Sequence, residues 1–198
     1  MKRVLTALMI MAIAVPAFAV QNPDIRIYLD ATNPPTGVAE VHPELNEFFD
    51  VFVVLDCFGP NGGTRGVGLL FDRTFAGVKI SQTNFLGGLS LGDVEDAGPQ
   101  GGWAIVAGVD CVYPDVNDLV VAGAVNYLYL GAPGTITVLP NPVSGREVLD
   151  CDDLADYFCV AAHFGVSMPP PDPEPDCDCE PPNPVEDATW GSIKGLYR

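Results

Sequence analysis

The chain has 198 residues, with 26 Asp and Glu against nine Lys and Arg, a formal charge of −17, and 48% hydrophobic residues. That balance excludes nucleic acid as a partner, because such binding draws mainly on Lys and Arg neutralising phosphates, and anionic membrane surfaces are excluded on the same ground. Divalent cations, cationic peptides and neutral sugars remain compatible with it.

The first element is a secretory signal peptide over residues 1–19. Lys2 and Arg3 form a positive start, Val4 to Val15 an apolar run, and Ala17-Phe18-Ala19 a small-residue cleavage site. A membrane anchor needs about 20 apolar residues, and Pro16 and Gln21-Asn22-Pro23 end this run early, so no insertion is expected after cleavage. The signal carries two of the nine cations and none of the acids, which leaves seven against 26 and a charge of −19 in the exported chain.

Residues 20–167 alternate short β-rich runs with Gly, Pro, Asn and Asp, the pattern of a single antiparallel β-sandwich. Ile25, Ile27 and Leu29 alternate with polar neighbours as a half-buried strand. Phe49, Val51, Val53 and Leu55 share one face of a strand over 48–57. Val67, Leu69 and Phe71 follow Pro60-Asn61-Gly62-Gly63, which predicts a hairpin between these two strands. Further strands fall over 78–81, 103–109, 119–130, 135–139 and 157–162. Gly123 and the Val and Tyr content favour a long strand over a helix in 119–130. Trp103 alternates with Ile105 and Ala107 and so belongs to the core. One helical turn is expected over 152–155.

Six cysteines follow the signal: Cys57, Cys111, Cys151, Cys159, Cys177 and Cys179. An even number in an exported chain predicts disulfides. Six cysteines allow 15 connectivities, among which the sequence does not choose; the preferred pairs are Cys57 with Cys111 and Cys151 with Cys159, and Cys177 and Cys179 could pair back to the body or to a second molecule. A zinc site is disfavoured, since no CxxC occurs and His42 and His163 lie at no ligand spacing to the cysteines.

Catalysis has thin support. Acid–base or nucleophilic chemistry needs a poised His, Lys, Cys or carboxylate pair, and no such group here stands in a recognised hydrolase motif, so no catalytic residue is assigned. His42 reads as solvated and His163 as a hydrogen-bonded structural residue. No cofactor is required. Calcium is the chemical option the sequence leaves open, because hard cations take several loop oxygens. Asp93 to Asp96, Asp115 to Asp118, and Asp150, Asp152, Asp153 with Asp156 form acidic loops, and Asp150, Asp152 and Asp153 are the first choice.

Residues 168–188 are an acidic, proline-rich linker. Pro169 to Glu186 favour polyproline II at about 3.1 Å per residue, a reach on the order of 55 Å. Residues 189–198 end the chain with Thr189-Trp190-Gly191-Ser192-Ile193-Lys194-Gly195-Leu196-Tyr197-Arg198. Trp190, Ile193 and Leu196 or Tyr197 could share a helical face, with Lys194 and Arg198 suited to its C-terminal end. Gly191 and Gly195 oppose a free helix, which predicts a segment that orders on a partner. These residues read as a recognition or sorting tail; the alternative is a tail that folds back on its own acidic body.

A resemblance adds to these readings. The strand ending in Tyr28-Leu29-Asp30, the lead-in from Pro43 to Phe49, the run Phe52-Val53-Val54-Leu55 and the later Leu139-Pro140-Asn141-Pro142 resemble secreted cohesin-like β-sandwich proteins. The tail is similar to a Thr-Trp-Gly-x-Ile-Lys-x-Leu-Tyr-Arg terminus on exported bacterial proteins. The resemblance implies an immunoglobulin-like or jelly-roll-like sandwich acting outside the cell or at its surface, in adhesion, scaffolding or carbohydrate contact, and it brings no catalytic residues. The expected function is a non-catalytic binding or structural module for an extracellular protein or glycan, with the tail as sorting or docking signal; the alternative is a carbohydrate-binding or glycan-processing protein with its site on the sandwich.

Overall fold

A computed structural model describes residues 25–171 except 59–61, 100, 109, 144–146, 152–154, 157–158 and 161–162. The segments expected as signal peptide, as linker beyond Pro171 and as tail, including Cys177, Cys179 and Trp190 to Arg198, lie outside the described residues.

All regular structure among the described residues is β. The strands are β1 (Arg26–Asp30), β2 (Glu40–Val41), β3 (Phe48–Asp56), β4 (Thr64–Arg73), β5 (Gly77–Asn84), β6 (Gly87–Asp93), β7 (Gly102–Ala107), β8 (Val120–Tyr129), β9 (Gly134–Pro140), β10 (Glu147–Asp150), β11 (Ala155–Asp156), β12 (Cys159–Val160) and β13 (His163–Val166). They form a five-stranded sheet in the order β12-β1-β3-β8-β5 and an eight-stranded sheet in which β11-β10-β4-β9-β13-β2 is joined by β7 on β4 and β6 on β7. The pairings are antiparallel except β1 with β12 and β13 with β2. The sandwich and the long strand at β8 match the sequence expectation. Ala155, expected in a helical turn, instead pairs in β11; residues 152–154 are outside the described set.

The alternation seen in the sequence becomes the core. Ile25, Ile27 and Leu29 meet Phe49, Val51, Val53 and Leu55, and from the other sheet Val67, Leu69, Phe71, Trp103, Ile105, Ile136, Val138 and Phe164. Trp103 is 0% exposed, and its Nε1 donates to Ser90 Oγ at 2.8 Å, so its one polar atom is satisfied inside the sandwich.

The expected hairpin between β3 and β4 does not form. β3 is filled on both edges, by β1 and β8, and β4 by β7 on one and by β9 and β10 on the other. The turn therefore carries the chain from one sheet to the other. Residues 59–61 of this connection lie outside the described set, and the burial of both strands sets the partners.

The disulfide pairing also differs from expectation. Cys111 is bonded to Cys151, with their Cα atoms 5.4 Å apart, and this bond excludes both expected pairs. The cause is Thr64 at the start of β4. Its backbone exchanges hydrogen bonds with Val112, it pairs with Asp150 of β10, and its Oγ1 donates to Leu149 O. The residues next to Cys111 and Cys151 thus converge on one buried threonine. Cys57 is disulfide-bonded as well.

The side where β5 and β6 meet is closed by side chains. Gln82 Nε2 donates to Gly92 O and its Oε1 accepts from Val94 N. Asn84 Nδ2 reaches Leu89 O and Val106 O. Lys79 pairs with Asp93, and Arg73 Nε with Glu95 Oε1 at 2.5 Å. Arg73 also donates through Nη1 to Phe75 O and Gly77 O. This seam ties the edge strands of the two sheets together and fixes the outer face of β5.

Candidate functional site

The two acidic loops that the structure describes spend their carboxylates on turn closure and on ion pairs with neighbouring strands. Asp93 pairs with Lys79 and accepts from Glu95 N, and Asp96 accepts from Gly98 N. Asp115 accepts from Asn117 N and Leu119 N, which hold its carboxyl below the ordinary range against a small opposing burial effect. These are turn-forming bonds of Asx type. Asp152 and Asp153 lie outside the described residues, and of Asp150 the backbone alone is placed, paired with Thr64. Among the described residues no group of three or more His, Cys, Asp and Glu is arranged to hold a metal ion.

The histidines gather no catalytic partner set. His163 Nδ1 lies 3.1 Å from Thr137 Oγ1 across the β9–β13 pair. His42 is exposed, 3.7 Å from Glu40 Oε1. Asp30, fully buried, is spent on loop closure: its carboxylate accepts from Thr32 N and Oγ1, Thr36 N and Gly37 N.

What the fold does assemble is a face. Strand register places the residues of β3, β8 and β5 that alternate with the core in rows across the outer side of the five-stranded sheet. One row is Phe48, Leu128 and Val78; the next is Asp50, Asn126 and Ser81; the third is Phe52, Ala124 and Thr83. Phe48 is 58% exposed, Val78 47% and Ile80, at the β5 bulge, 50%. Phe85, 43% exposed, extends the third row, its ring 6.4 Å from that of Phe52. Between the apolar rows Asn126 Nδ2 donates to Asp50 Oδ1 at 2.8 Å, leaving an exposed carboxylate fixed at the centre. Beyond the third row Tyr28 is half-buried among Asp56, Asp30 and Arg26. Burial first, then the two carboxylates, pushes its phenol up to about 12. Apolar rows on either side of an anchored carboxylate suit an amphipathic segment that carries a cation.

The architecture is similar to that of cohesin modules. One is the cohesin module of a family 33 glycoside hydrolase from Clostridium perfringens, at 11% identity over 73% of this chain and 97% of that one, with a TM-score of 0.49. Another is the sixth cohesin of Acetivibrio cellulolyticus scaffoldin B, solved with a dockerin, at 13% identity over 73% and 99%, with a TM-score of 0.47. A type I cohesin of Pseudobacteroides cellulosolvens matches at 10% identity over 74% and 94%, with a TM-score of 0.46. At this distance no function is carried across. No protein-family model matches the chain, and no curated protein does.

The sequence reading named the acidic loops and the tail and missed this face. Its signal was present: Phe48 and Phe52 place aromatic residues in the phase opposite to Phe49, Val51 and Val53. Nothing in the sequence alone sets Phe48 beside Leu128 and Val78.

Proposed function

We propose that the chain is a non-catalytic binding module, exported from a bacterial cell, that engages a partner through the outer face of its five-stranded sheet, with residues 189–198 as a sorting or docking signal. The observation that carries this reading is the exposure of Phe48, Val78, Ile80 and Phe85 on one sheet face that no other described segment covers. Apolar groups gathered on one face mark interaction sites, whereas isolated ones do not. The Cys111–Cys151 bond supports an oxidising compartment, and the signal-peptide pattern of residues 1–19 supports the same route. The formal charge of −17 favours a cationic or neutral partner. Calcium at Asp150, Asp152 and Asp153 is an optional addition to this reading.

A second reading has its own observation. The Phe52–Phe85 pair beside the Asp50–Asn126 hydrogen bond sets aromatic surface next to fixed polar groups, an arrangement suited to stacking on a sugar ring. Two experiments separate the readings. Deleting residues 189–198 changes the distribution between medium and cell surface under the first reading, with the body still folded, and leaves it unchanged under the second. A glycan array probed with the exported chain stays blank under the first reading, and reproducible binding to a defined glycan class would replace it with the second.

A further inference from the structure

We infer that the tail's docking site is the outer face of the chain's own five-stranded sheet, on which Trp190 to Tyr197 lie as about two helical turns with Lys194 on Asp50. This rests on the proposed docking role of tail and face, and makes the tail the occupant of the face that an outside partner displaces.

The first argument is pattern. Phe48 and Phe52 are four residues apart on β3, so the two apolar rows lie about 13 Å from each other. At 100° per residue, Trp190, Lys194 and Tyr197 fall within one 60° sector of a helix, with Ile193 next to Tyr197. Trp190 and Tyr197 are then about 10 Å apart along the axis with Lys194 between them. The order apolar, cation, apolar meets the order apolar, carboxylate, apolar of the sheet. An extended tail would spread Trp190 and Tyr197 over about 23 Å and turn Lys194 and Tyr197 to opposite sides.

The second argument is charge. The tail holds two of the seven Lys and Arg that follow Arg3. Of the others, Arg26, Arg73 and Lys79 are in ion pairs away from Asp50. Asp50 is exposed, and its described contact is the amide of Asn126. The third is reach. The described chain ends at Pro171, and 17 residues precede Thr189. At about 3.1 Å each they extend on the order of 50 Å, more than the roughly 40 Å diameter of a compact body of this size. A tether of that length holds the tail at an effective concentration of about a millimolar, so modest affinity is enough. Gly191 and Gly195, unfavourable in a free helix, make the ordering depend on the face.

Trp190 reports the outcome directly, because the other tryptophan, Trp103, is 0% exposed. Acrylamide quenching is measured on the full exported chain, on the Asp50→Lys and Lys194→Glu single variants, on the Asp50→Lys/Lys194→Glu double variant, and on the free peptide of residues 189–198. The expected result is Trp190 quenched at least threefold less in the full chain than in the peptide, exposed in both single variants, and shielded again in the double, at every protein concentration. Equal quenching in all four chains overturns the inference, as does shielding that appears only with concentration and a rise in mass, which would give the tail to a second copy. Cell fractionation of the same chains keeps the two proposals apart. A location that depends on the tail while quenching never changes leaves the proposed function standing and removes this inference.

Discussion

Replacing Arg73 with Met tests whether the polar seam between β5 and β6 holds the two sheets together. The guanidinium donates to both Glu95 oxygens, at 2.5 and 3.4 Å, and to Phe75 O and Gly77 O at 3.1 and 2.7 Å. It also stands 5.1 Å from the Phe75 ring and 5.8 Å from that of Tyr127. The two carbonyl bonds contribute about 1 kcal/mol each. The carboxylate pair, with side chains 23% and 22% exposed, is discounted for solvent to about 1 kcal/mol, and the ring contacts add about 0.5 kcal/mol. Met keeps most of the apolar stem, so the expected loss is that of these polar and ring contacts, about 3.5 kcal/mol. Urea unfolding followed by far-ultraviolet circular dichroism reads it as a lower midpoint at unchanged slope. Glu95→Gln in the Arg73→Met background should cost about 1 kcal/mol less than in the wild type, because the carboxylate it removes is already unpaired. A loss under about 0.5 kcal/mol for Arg73→Met, the level of ordinary surface changes, would refute the seam as a structural tie.

Three further outcomes follow from the same geometry. Gly123→Ala should destabilise by about 1–3 kcal/mol through overpacking, read as a drop in thermal midpoint, since an added Cβ would stand 2.7 Å from Trp103 Cη2 and 2.6 Å from Thr83 O. Cys111→Ser with Cys151→Ser opens a bond between residues 40 apart and should cost about 2–4 kcal/mol in non-reducing urea titration. The raised phenol of Tyr28 favours the neutral form in the folded state, so its contribution is complete below the unfolded value of 10.0 and is lost as pH rises through about 12; alkaline unfolding of Tyr28→Phe should lack that part of the decline.

The fold was legible where alternation and burial coincide. Ile25, Ile27 and Leu29, the Phe49 to Leu55 series and Trp103 each lie on the core side expected of them. β6 was not legible, because Gly87, Gly88, Ser90 and Gly92 read as loop and every residue of the strand is exposed. It is a strand because β7 pairs with it and the Gln82 and Asn84 side chains hold its other edge. The hairpin at residues 60–63 and the cysteine pairs failed for a shared reason. Turn chemistry and sequence spacing are local, while the partners of β4 and Thr64 come from residues 34 and more positions away. The candidate face shows the same division. That Phe48 and Phe52 oppose the core phase can be read from β3, but the rows exist because β8 and β5 bring Leu128, Asn126, Val78 and Ser81 into register beside them.

The most direct test of the binding face is an aspartate scan of exposed apolar residues on both sheets, with surface retention on the producing cells measured for each folded variant. Phe48, Val78, Ile80 and Phe85 lie on the proposed face, and Leu89 and Leu91, 65% and 54% exposed on β6 of the other sheet, are matched controls. The account predicts at least a tenfold loss of retention at the first four positions and none at Leu89 or Leu91. Equal retention across all six variants, or loss confined to the two leucines, would contradict it.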